Sequence, residues 1–144
     1  MEKGKFIIVC CAVFFACFSV SAQEESQQLK VVRNMIAAVN QKNAAQYVEG
    51  FSDTIKIYVD NILRVEGKIA LQENRTKHFE RYPETRSEIQ HLVEIDRKVV
   101  MHDKVWLYHK DYEGQDIVEI FTFKDGLVIR MDVIQSKTLF KGKD

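Results

Sequence analysis

Two acidic residues close to the end of the chain are the strongest candidates for chemistry. Residues 117–123 and 127–135 are rich in β-branched and aromatic side chains, and Lys124-Asp125-Gly126 separates them. Asp-Gly between two such segments is the strongest short-range signal of a β-hairpin. A two-residue turn there predicts that Glu119 lies directly opposite Asp132. Like charges in this arrangement destabilise a sheet, so we interpret the two carboxylates as candidate catalytic or ligand-binding groups.

The same carboxylates also have an ordinary structural interpretation. Both could form ion pairs with Arg130 or Lys110 at a polar end of the sheet, because ion-pair networks perturb carboxylates as functional sites do. In the functional interpretation, crowding and apolar surroundings raise one pKa and leave an acid beside a base. His109 is an alternative base if the register of the last strands differs from the simplest one.

Hydrophobic periodicity predicts the helices that must cover these strands. Apolar residues recur at spacings of three and four over residues 27–41, and a short second helix covers residues 44–51. A third helix covers residues 68–82 and ends before Pro83, because proline cannot continue a helix.

The remaining pattern is that of strands. Residues 54–59 alternate and are followed by a short return strand, and strict alternation over residues 87–101 predicts one long strand. Residues 105–112 and the final hairpin complete the sheet. Helices followed by antiparallel strands predict an α+β domain with three helices on one face of a curved sheet.

Alternation through hairpins with turns at His102-Asp103 and Gly114-Gln115 assigns the side chains to two faces. The first, pocket-side face then contains Ile95, Val99, Trp106, Tyr108, Lys110, Glu119, Phe121, Phe123, Val128, Arg130 and Asp132. The second contains Val105, Leu107, His109, Val118, Ile120, Leu127, Ile129, Met131 and Val133. One extra residue in any loop would exchange the later assignments. We expect the second face, which the helices cannot also cover, to form a homodimer around Ile120 and Ile129.

The first 22 residues have the features of a secretory signal peptide. Lys3 and Lys5 precede an apolar run of thirteen residues, and Val20-Ser21-Ala22 offers a small-residue cleavage site before Gln23. The run is too short to span a membrane. We therefore expect a secreted or periplasmic protein, with residues 23–144 as one mature domain and no membrane contact after cleavage.

Composition excludes several other classes of function. All three cysteines, of which Cys17 is the last, lie in the signal segment, so the mature domain would have no disulfide or thiol nucleophile. Phe14-Phe15-Ala16-Cys17 resembles a lipoprotein signal and leaves lipidation as the alternative to soluble export. Removing Lys3, Lys5 and Glu2 from 21 basic and 21 acidic residues leaves 19 and 20. No basic stripe is present, so we expect no nucleic-acid partner.

The chain carries no cofactor or metal signature. The four histidines show no spacing suited to zinc, which needs three or four convergent ligands. Phosphate-binding and dinucleotide-binding glycine patterns are absent from the sequence. We therefore expect neither a metal nor a cofactor.

The order of these segments resembles the SnoaL-like family of the nuclear-transport-factor-2-like superfamily. The resemblance is carried by residues 31–40 in the first helix, Phe51-Ser52-Asp53, Gly67-Lys68 and the closing Asp132-Val133-Ile134-Gln135 after Asp125-Gly126. It implies a cystatin-like cone with a pocket between the helices and the concave sheet face, and dimers formed through the sheets. The superfamily includes isomerases, dehydratases, cyclases and non-catalytic binding domains.

The resemblance also implies candidate site residues, position by position. Ketosteroid isomerases hold an oxyanion with a tyrosine and a protonated aspartic acid, and another Asp moves the proton. Here the tyrosine position falls on Met35, the proton-transfer position on Val59, and the protonated acid matches Glu119. In SnoaL-like cyclases an Asp near the start of the closing segment does acid-base work, and Asp132 resembles it.

Two functions follow from these residues. The first is a secreted domain that binds a hydrophobic small molecule in an apolar, aromatic-lined pocket, without catalysis. The second is an isomerase, cyclase or dehydratase that uses Glu119 and Asp132 to move a proton on a hydrophobic carbonyl substrate, without a cofactor. Met35 and Val59 at the most specific catalytic positions favour binding. The expected ligand-binding residues are Met35, Val59, Phe79, Trp106, Tyr108, Phe121, Phe123 and Arg130.

Overall fold

The computed structural model describes residues 24–110 and 113–135, which form three helices and six strands. The signal-peptide prediction lies outside these residues. The helices are α1 (Gln27–Asn40), α2 (Ala44–Tyr47), which continues into a 3-10 turn (Val48–Gly50), and α3 (Lys68–Arg81). The strands are β1 (Phe51–Val59), β2 (Ile62–Glu66), β3 (Arg86–Ile95), β4 (Lys98–Trp106), β5 (Gln115–Lys124) and β6 (Leu127–Gln135).

Side-chain caps define where the first two helices begin. The Ser26 hydroxyl accepts a hydrogen bond from the backbone N–H of Leu29 at 3.2 Å, and Asn43 caps α2 by accepting from Gln46 at 3.0 Å. Such caps satisfy backbone donors that the first turn of a helix leaves unpaired. The buried side of α1 consists of Val32, Met35, Ile36, Ala38 and Val39.

All six strands form one curved sheet in the order β2-β1-β6-β5-β4-β3. Neighbouring strands are antiparallel except β1 and β6, which are parallel. Helix α1 packs against β3 and β4, and α3, which lies between β2 and β3 in the chain, packs against β1 and β2. The predicted α+β class, with three helices on a mostly antiparallel sheet, is confirmed. We call the helix-covered face the inner face and the opposite one the outer face.

The predicted long strand over residues 87–101 is two strands. Asp96-Arg97 forms a tight turn in which Asp96 has a φ of 53°, a left-handed conformation that Asp tolerates. The predicted turn at His102-Asp103 is therefore wrong, because both residues lie inside β4. Consequently Ile95, expected inside, is 60% exposed on the outer face.

The last predicted strands also differ in extent. Strand β4 ends at Trp106, so the strand predicted over residues 105–112 is wrong for residues 107–110, and its last two residues lie outside the described ones. Strand β5 begins at Gln115, which was predicted to lie at a turn.

The final hairpin turns where predicted but contains a bulge. Lys124 pairs with Leu127 and Phe123 with Val128, yet Thr122 pairs with Arg130. Ile129 is therefore an extra residue on β6 without an opposite partner.

The bulge overturns the predicted pairing of Glu119 with Asp132. Glu119 lies opposite Val133, and Asp132 lies opposite Ile120 on the outer face. A regular ladder would have buried Arg130 and Asp132 and exposed Met131 and Val133. Burying those two charges would cost more free energy than leaving one residue of the strand unpaired. The bulged strand is therefore the more stable arrangement. Met131 and Val133, predicted on the uncovered face, are instead core residues that are 1% and 9% exposed.

Deleting Ile129 tests this interpretation of the bulge. The deletion keeps every other cross-strand pair, so we expect a folded protein that is destabilised by roughly 1–3 kcal/mol through loss of local curvature. Deleting Ile120 from β5 is the matched control, because it turns one flank of that strand inside out. We expect that control not to fold. Urea unfolding followed by circular dichroism compares the two, and equal loss of structure in both would contradict the bulge assignment.

Candidate functional site

The inner face of the sheet, α1 and α3 enclose a cleft of about 660 Å³. Ten of its 23 lining residues are aliphatic, eleven are polar or charged, and two are tyrosines, Tyr47 and Tyr82. The aliphatic lining residues are Ile36, Val39, Ile57, Val59, Val65, Val105, Leu107, Ile117, Met131 and Val133.

Asp103 lies on the floor of this cleft and is only 3% exposed. Its Oδ2 accepts a hydrogen bond from the Ser87 hydroxyl at 2.5 Å. Asn40, at the end of α1, holds Ser87 through two hydrogen bonds: its side-chain amide donates to Ser87 O at 2.9 Å and accepts from Ser87 N at 2.8 Å. The other carboxyl oxygen, Oδ1, is buried without a hydrogen-bond partner among the described residues.

Burial raises the pKa of Asp103 to about 6. The Ser87 hydrogen bond opposes this rise by stabilising the carboxylate, and the backbone amides of Glu88 and Lys104 add a smaller opposing effect. Near neutral pH, Asp103 therefore exists in both protonation states.

Glu119 lies beside Asp103 on the same face of the sheet. Asp103 pairs with Ile117, so Glu119, two residues further along β5, is its diagonal neighbour, with Cβ atoms roughly 7 Å apart. Burial and, to a smaller extent, the Asp103 carboxylate raise the pKa of Glu119 to about 7, and the Arg75 guanidinium opposes both effects. The cleft thus holds two neighbouring carboxyl groups that are not both fully ionised near pH 7.

Three side chains from the helices face this acidic pair. Tyr47 is 4% exposed, and burial raises its pKa to about 12, which keeps its hydroxyl protonated. The Arg75 guanidinium lies over the Tyr47 ring at 5.3 Å. Burial, together with the charge of Arg75, lowers the pKa of His78 to about 4, so its imidazole is neutral at physiological pH.

Arg75 is one of four cations that line the cleft. Its Nε is buried without a hydrogen-bond partner, and no carboxylate among the described residues lies within ion-pair distance of its guanidinium. The other three, Arg64, Lys77 and Arg81, also have no carboxylate within ion-pair distance in the part of the chain that the structure describes.

Two of the residues predicted for the site line the cleft, Glu119 and Val59. Asp132 does not, because the bulge in β6 turns it to the outer face, where it forms a bidentate ion pair with Arg130 at 2.6 and 2.8 Å. Arg130 lies over Tyr58 at 4.1 Å on that face, so the ion-pair interpretation describes these two residues.

The other predicted ligand-binding residues lie elsewhere. Met35, Phe79, Phe121 and Phe123 are fully packed core residues and do not reach the cleft. Their side chains are closer to the centre of the helix–sheet interface than alternation alone could indicate.

The two remaining aromatic candidates come from the end of β4. Trp106 lies on the other side of β4 from the cleft-lining Val105, where Arg86 covers its ring at 4.1 Å. Tyr108 is 58% exposed and touches the cleft only indirectly, through an edge contact with Tyr82 at 5.7 Å. His109, the alternative base, is exposed and is absent from the cleft wall.

Sequence reasoning missed Asp103, Tyr47, Arg75 and His78. Asp103 looked like a turn residue because it follows a histidine and precedes a lysine in a polar segment. The signal that could have found it is the alternation of Val99, Met101, Asp103 and Val105, in which an acid occupies an inward position.

Neither a metal cluster nor a membrane helix is found in the described part of the chain. No group of three or more His, Asp or Glu side chains there is arranged to hold a metal ion. Residues 24–110 and 113–135 contain no helix with the length and apolarity needed to cross a bilayer.

Comparison with known proteins identifies the fold. A family model described as a SnoaL-like domain matches residues 32–131. A cystatin-fold protein from Novosphingobium aromaticivorans superposes with a TM-score of 0.70 at 23% identity, covering 77% of this chain and 100% of the other. A proposed ketosteroid isomerase from Kribbella flavida gives 0.65 at 14% identity, covering 77% and 78%. No curated protein matches the sequence significantly.

A designed protein is also among the similar structures. A de novo protein with a curved β-sheet gives a TM-score of 0.68 at 15% identity, covering 80% of this chain and 89% of the other. Because that likeness arose by design, similarity at this level indicates the fold and not an activity.

The pKa of Glu119 yields a prediction with a definite sign. A carboxyl whose pKa is higher in the folded state stabilises the protein at low pH, and that stability is lost as the pH rises from about 4.5 to about 7. Glu119→Gln removes the buried charge, so it should stabilise the ligand-free protein at pH 8 by on the order of 2 kcal/mol and change little at pH 5.

Urea unfolding at pH 5 and pH 8 measures this difference. Glu88→Gln, on the exposed side of β3, is the matched control and should show no such dependence. If Glu119→Gln were less stable than the wild type at pH 8, the glutamate would be held by an ion pair and the buried-charge account would fail.

Proposed function

The chain belongs to the SnoaL-like domain family, and from this premise we propose that it binds hydrophobic small molecules in the cleft between its helices and its sheet. The observation that carries the proposal is the pairing of an aliphatic wall with two carboxyl groups, Asp103 and Glu119, on the floor. Ligand pockets usually combine a large apolar surface with a few convergent polar groups.

The cleft has the size and lining for such a ligand. Its volume of about 660 Å³ lies in the range of roughly 300–1,000 Å³ that is common for small-molecule sites. Aliphatic side chains supply affinity by burying the apolar surface of a ligand. They do not fix its orientation, which requires polar contacts.

The acidic pair supplies those contacts. A carboxyl group that is part protonated at neutral pH can donate a hydrogen bond as well as accept one. Asp103 Oδ1 has no partner among the described residues, and an unpaired buried acceptor is costly until a ligand satisfies it. A ligand with one polar end would therefore bind with that end in the polar part of the cleft, beside Asp103 and Glu119.

Proton-transfer catalysis is the second candidate function, and one observation favours it. The pKa values of about 6 for Asp103 and about 7 for Glu119 suit a general acid and base working near neutral pH. In this alternative Asp103 replaces Asp132 as the partner of Glu119, and the protonated Tyr47 hydroxyl is a candidate donor to a developing oxyanion.

The binding function is tested by filling the cleft. Native mass spectrometry of the protein purified from its own host should show a bound small molecule in the wild type. Val59→Trp places an indole in the cleft wall and should remove that mass. Ile69→Trp, at a position that is 78% exposed on α3, is the control and should retain it. A wild-type spectrum without any bound small molecule would contradict the proposal.

The enzyme alternative needs its own measurement. Incubation with methyl nonyl ketone in D₂O, followed by NMR, reports exchange of the protons next to the carbonyl. Exchange that is lost in Glu119→Gln would favour catalysis over simple binding, whereas exchange equal in both proteins would exclude Glu119 as the base.

We also propose that the protein is exported and forms a homodimer through the outer face. The export proposal rests on the N-terminal sequence, and the mass spectrum described above would report a chain that begins at Gln23. The dimer proposal rests on apolar side chains that the helices leave uncovered, centred on Val100 and Ile120. Val93 and Ile134, near the edge of this strip, are 52% and 55% exposed.

A single charge should disrupt that dimer. Val100 lies between Val93 on β3 and Ile120 on β5, in the middle of the outer face. Val100→Lys would bury an unpaired ammonium group in the interface, so we expect a monomer by light scattering. Ile69→Lys, on the exposed side of α3, should leave the dimer intact. A dimer that survives Val100→Lys would place the interface elsewhere.

A further inference from the structure

More basic than acidic side chains line the cleft. Four cations, Arg64, Arg75, Lys77 and Arg81, face two carboxyl groups. None of the four forms an ion pair with a carboxylate in the described residues. A ligand therefore enters a site whose fixed charge is positive, since carboxyl groups that are part protonated do not cancel four cations.

The spacing along α3 explains how three of these cations reach the cleft. Lys77 and Arg81 lie four residues apart on one row of the helix surface, and Arg75 lies on an adjacent row with His78 and the C-cap residue Tyr82. All five line the cleft. The acidic residues of α3, Glu73 and Glu80, do not line this cleft. The helix thus presents cationic and aromatic groups to the cleft and directs its carboxylates elsewhere.

A purely structural role accounts for only part of this arrangement. Arg81 lies in the last turn of α3, where a positive charge is favourable beside unpaired carbonyl groups. Arg75 lies in the middle of the helix, and Arg64 lies on β2, so the end of the helix does not explain either of them. Arg75 in particular has a buried Nε without a partner.

Arg75 also occupies the centre of the polar part of the cleft. Its guanidinium lies over the Tyr47 ring, and its charge influences the protonation of Tyr47, His78 and Glu119. A guanidinium presents several donors in a plane and binds a carboxylate through two parallel hydrogen bonds.

We propose that the ligands of this cleft are amphipathic carboxylic acids, bound as anions with the carboxylate on Arg75 and the apolar chain along the aliphatic wall. The inference rests on the binding function proposed above and names the class of ligand. Glu119 contributes in its protonated form, as a hydrogen-bond donor to the same carboxylate. The rim cations attract the ligand to the mouth of the cleft.

Three probes with the same chain and different head groups test the inference. Decanoate, decanol and decylamine are titrated into the protein at pH 6 by calorimetry. We expect decanoate to bind about tenfold more tightly than either of the others, because a hydrogen-bonded charge pair is stronger than a neutral contact. The affinity for decanoate should fall several-fold between pH 6 and pH 8, because Glu119 becomes an anion over that range.

Variants of Arg75 separate charge from folding. Arg75→Gln should abolish the preference for decanoate while decanol still binds, and Arg75→Lys should keep part of it. Arg97→Gln, in the exposed turn between β3 and β4, is the control and should bind as the wild type does. Circular dichroism confirms that each variant is folded. If Arg75→Gln does not fold, Arg64→Gln on β2 is the second test. It should weaken the binding of decanoate but not the binding of decanol.

The outcomes distinguish this inference from the function on which it rests. Tighter binding of decylamine or decanol would overturn the carboxylate assignment while leaving a hydrophobic binding cleft. Binding of decanoate that does not depend on Arg75 or Arg64 would also overturn it. If none of the three probes bound to the wild type, both the ligand class and the proposed binding function would be contradicted.

Discussion

Burial of the inner sheet face beneath α1 and α3 is the constraint on which the rest of the structure depends. A strand can turn only one of its two sides to the helices, so the apolar residues of each strand decide which polar residues become buried with them. In β6, burial of Val128, Met131 and Val133 requires one extra residue at Ile129 and sends Arg130 and Asp132 outward. In β4 and β5, the same constraint carries Asp103 and Glu119 inward with their apolar neighbours.

The helices and most turns follow from local signals in the sequence. Ser26 and Asn43 cap their helices where the hydrophobic periodicity begins, and the chain turns at Asp125-Gly126, as these residue types predict. The α+β class and the family resemblance follow from these elements and were confirmed. Each of these features is decided by residues close together in sequence.

The composition of the site could not be predicted, because it depends on strand register. A bulge adds one residue without changing the hydrophobic character of the strand, so the patterns before and after it both look regular. Glu119 and Asp132 therefore appeared to be partners, although their side chains lie on opposite faces. Likewise Asp96 forms a turn that its sequence signals only weakly, and missing that turn concealed Asp103. Tyr47 and Arg75 belong to the site only through the packing of helices, which no local pattern reports.

The connection from Asp103 to the end of α1 has a consequence for how the protein moves. Asp103, Ser87 and Asn40 form a continuous row of hydrogen bonds from the cleft floor to the last turn of the helix. A proton on Asp103 weakens the hydrogen bond that orients Ser87, and the change reaches Asn40, whose side chain links the end of α1 to β3. The exchange of amide hydrogens in that last turn should therefore report, from outside the cleft, on the protonation of a buried carboxyl group. Helix α1 therefore covers the site and also reports the protonation state of Asp103.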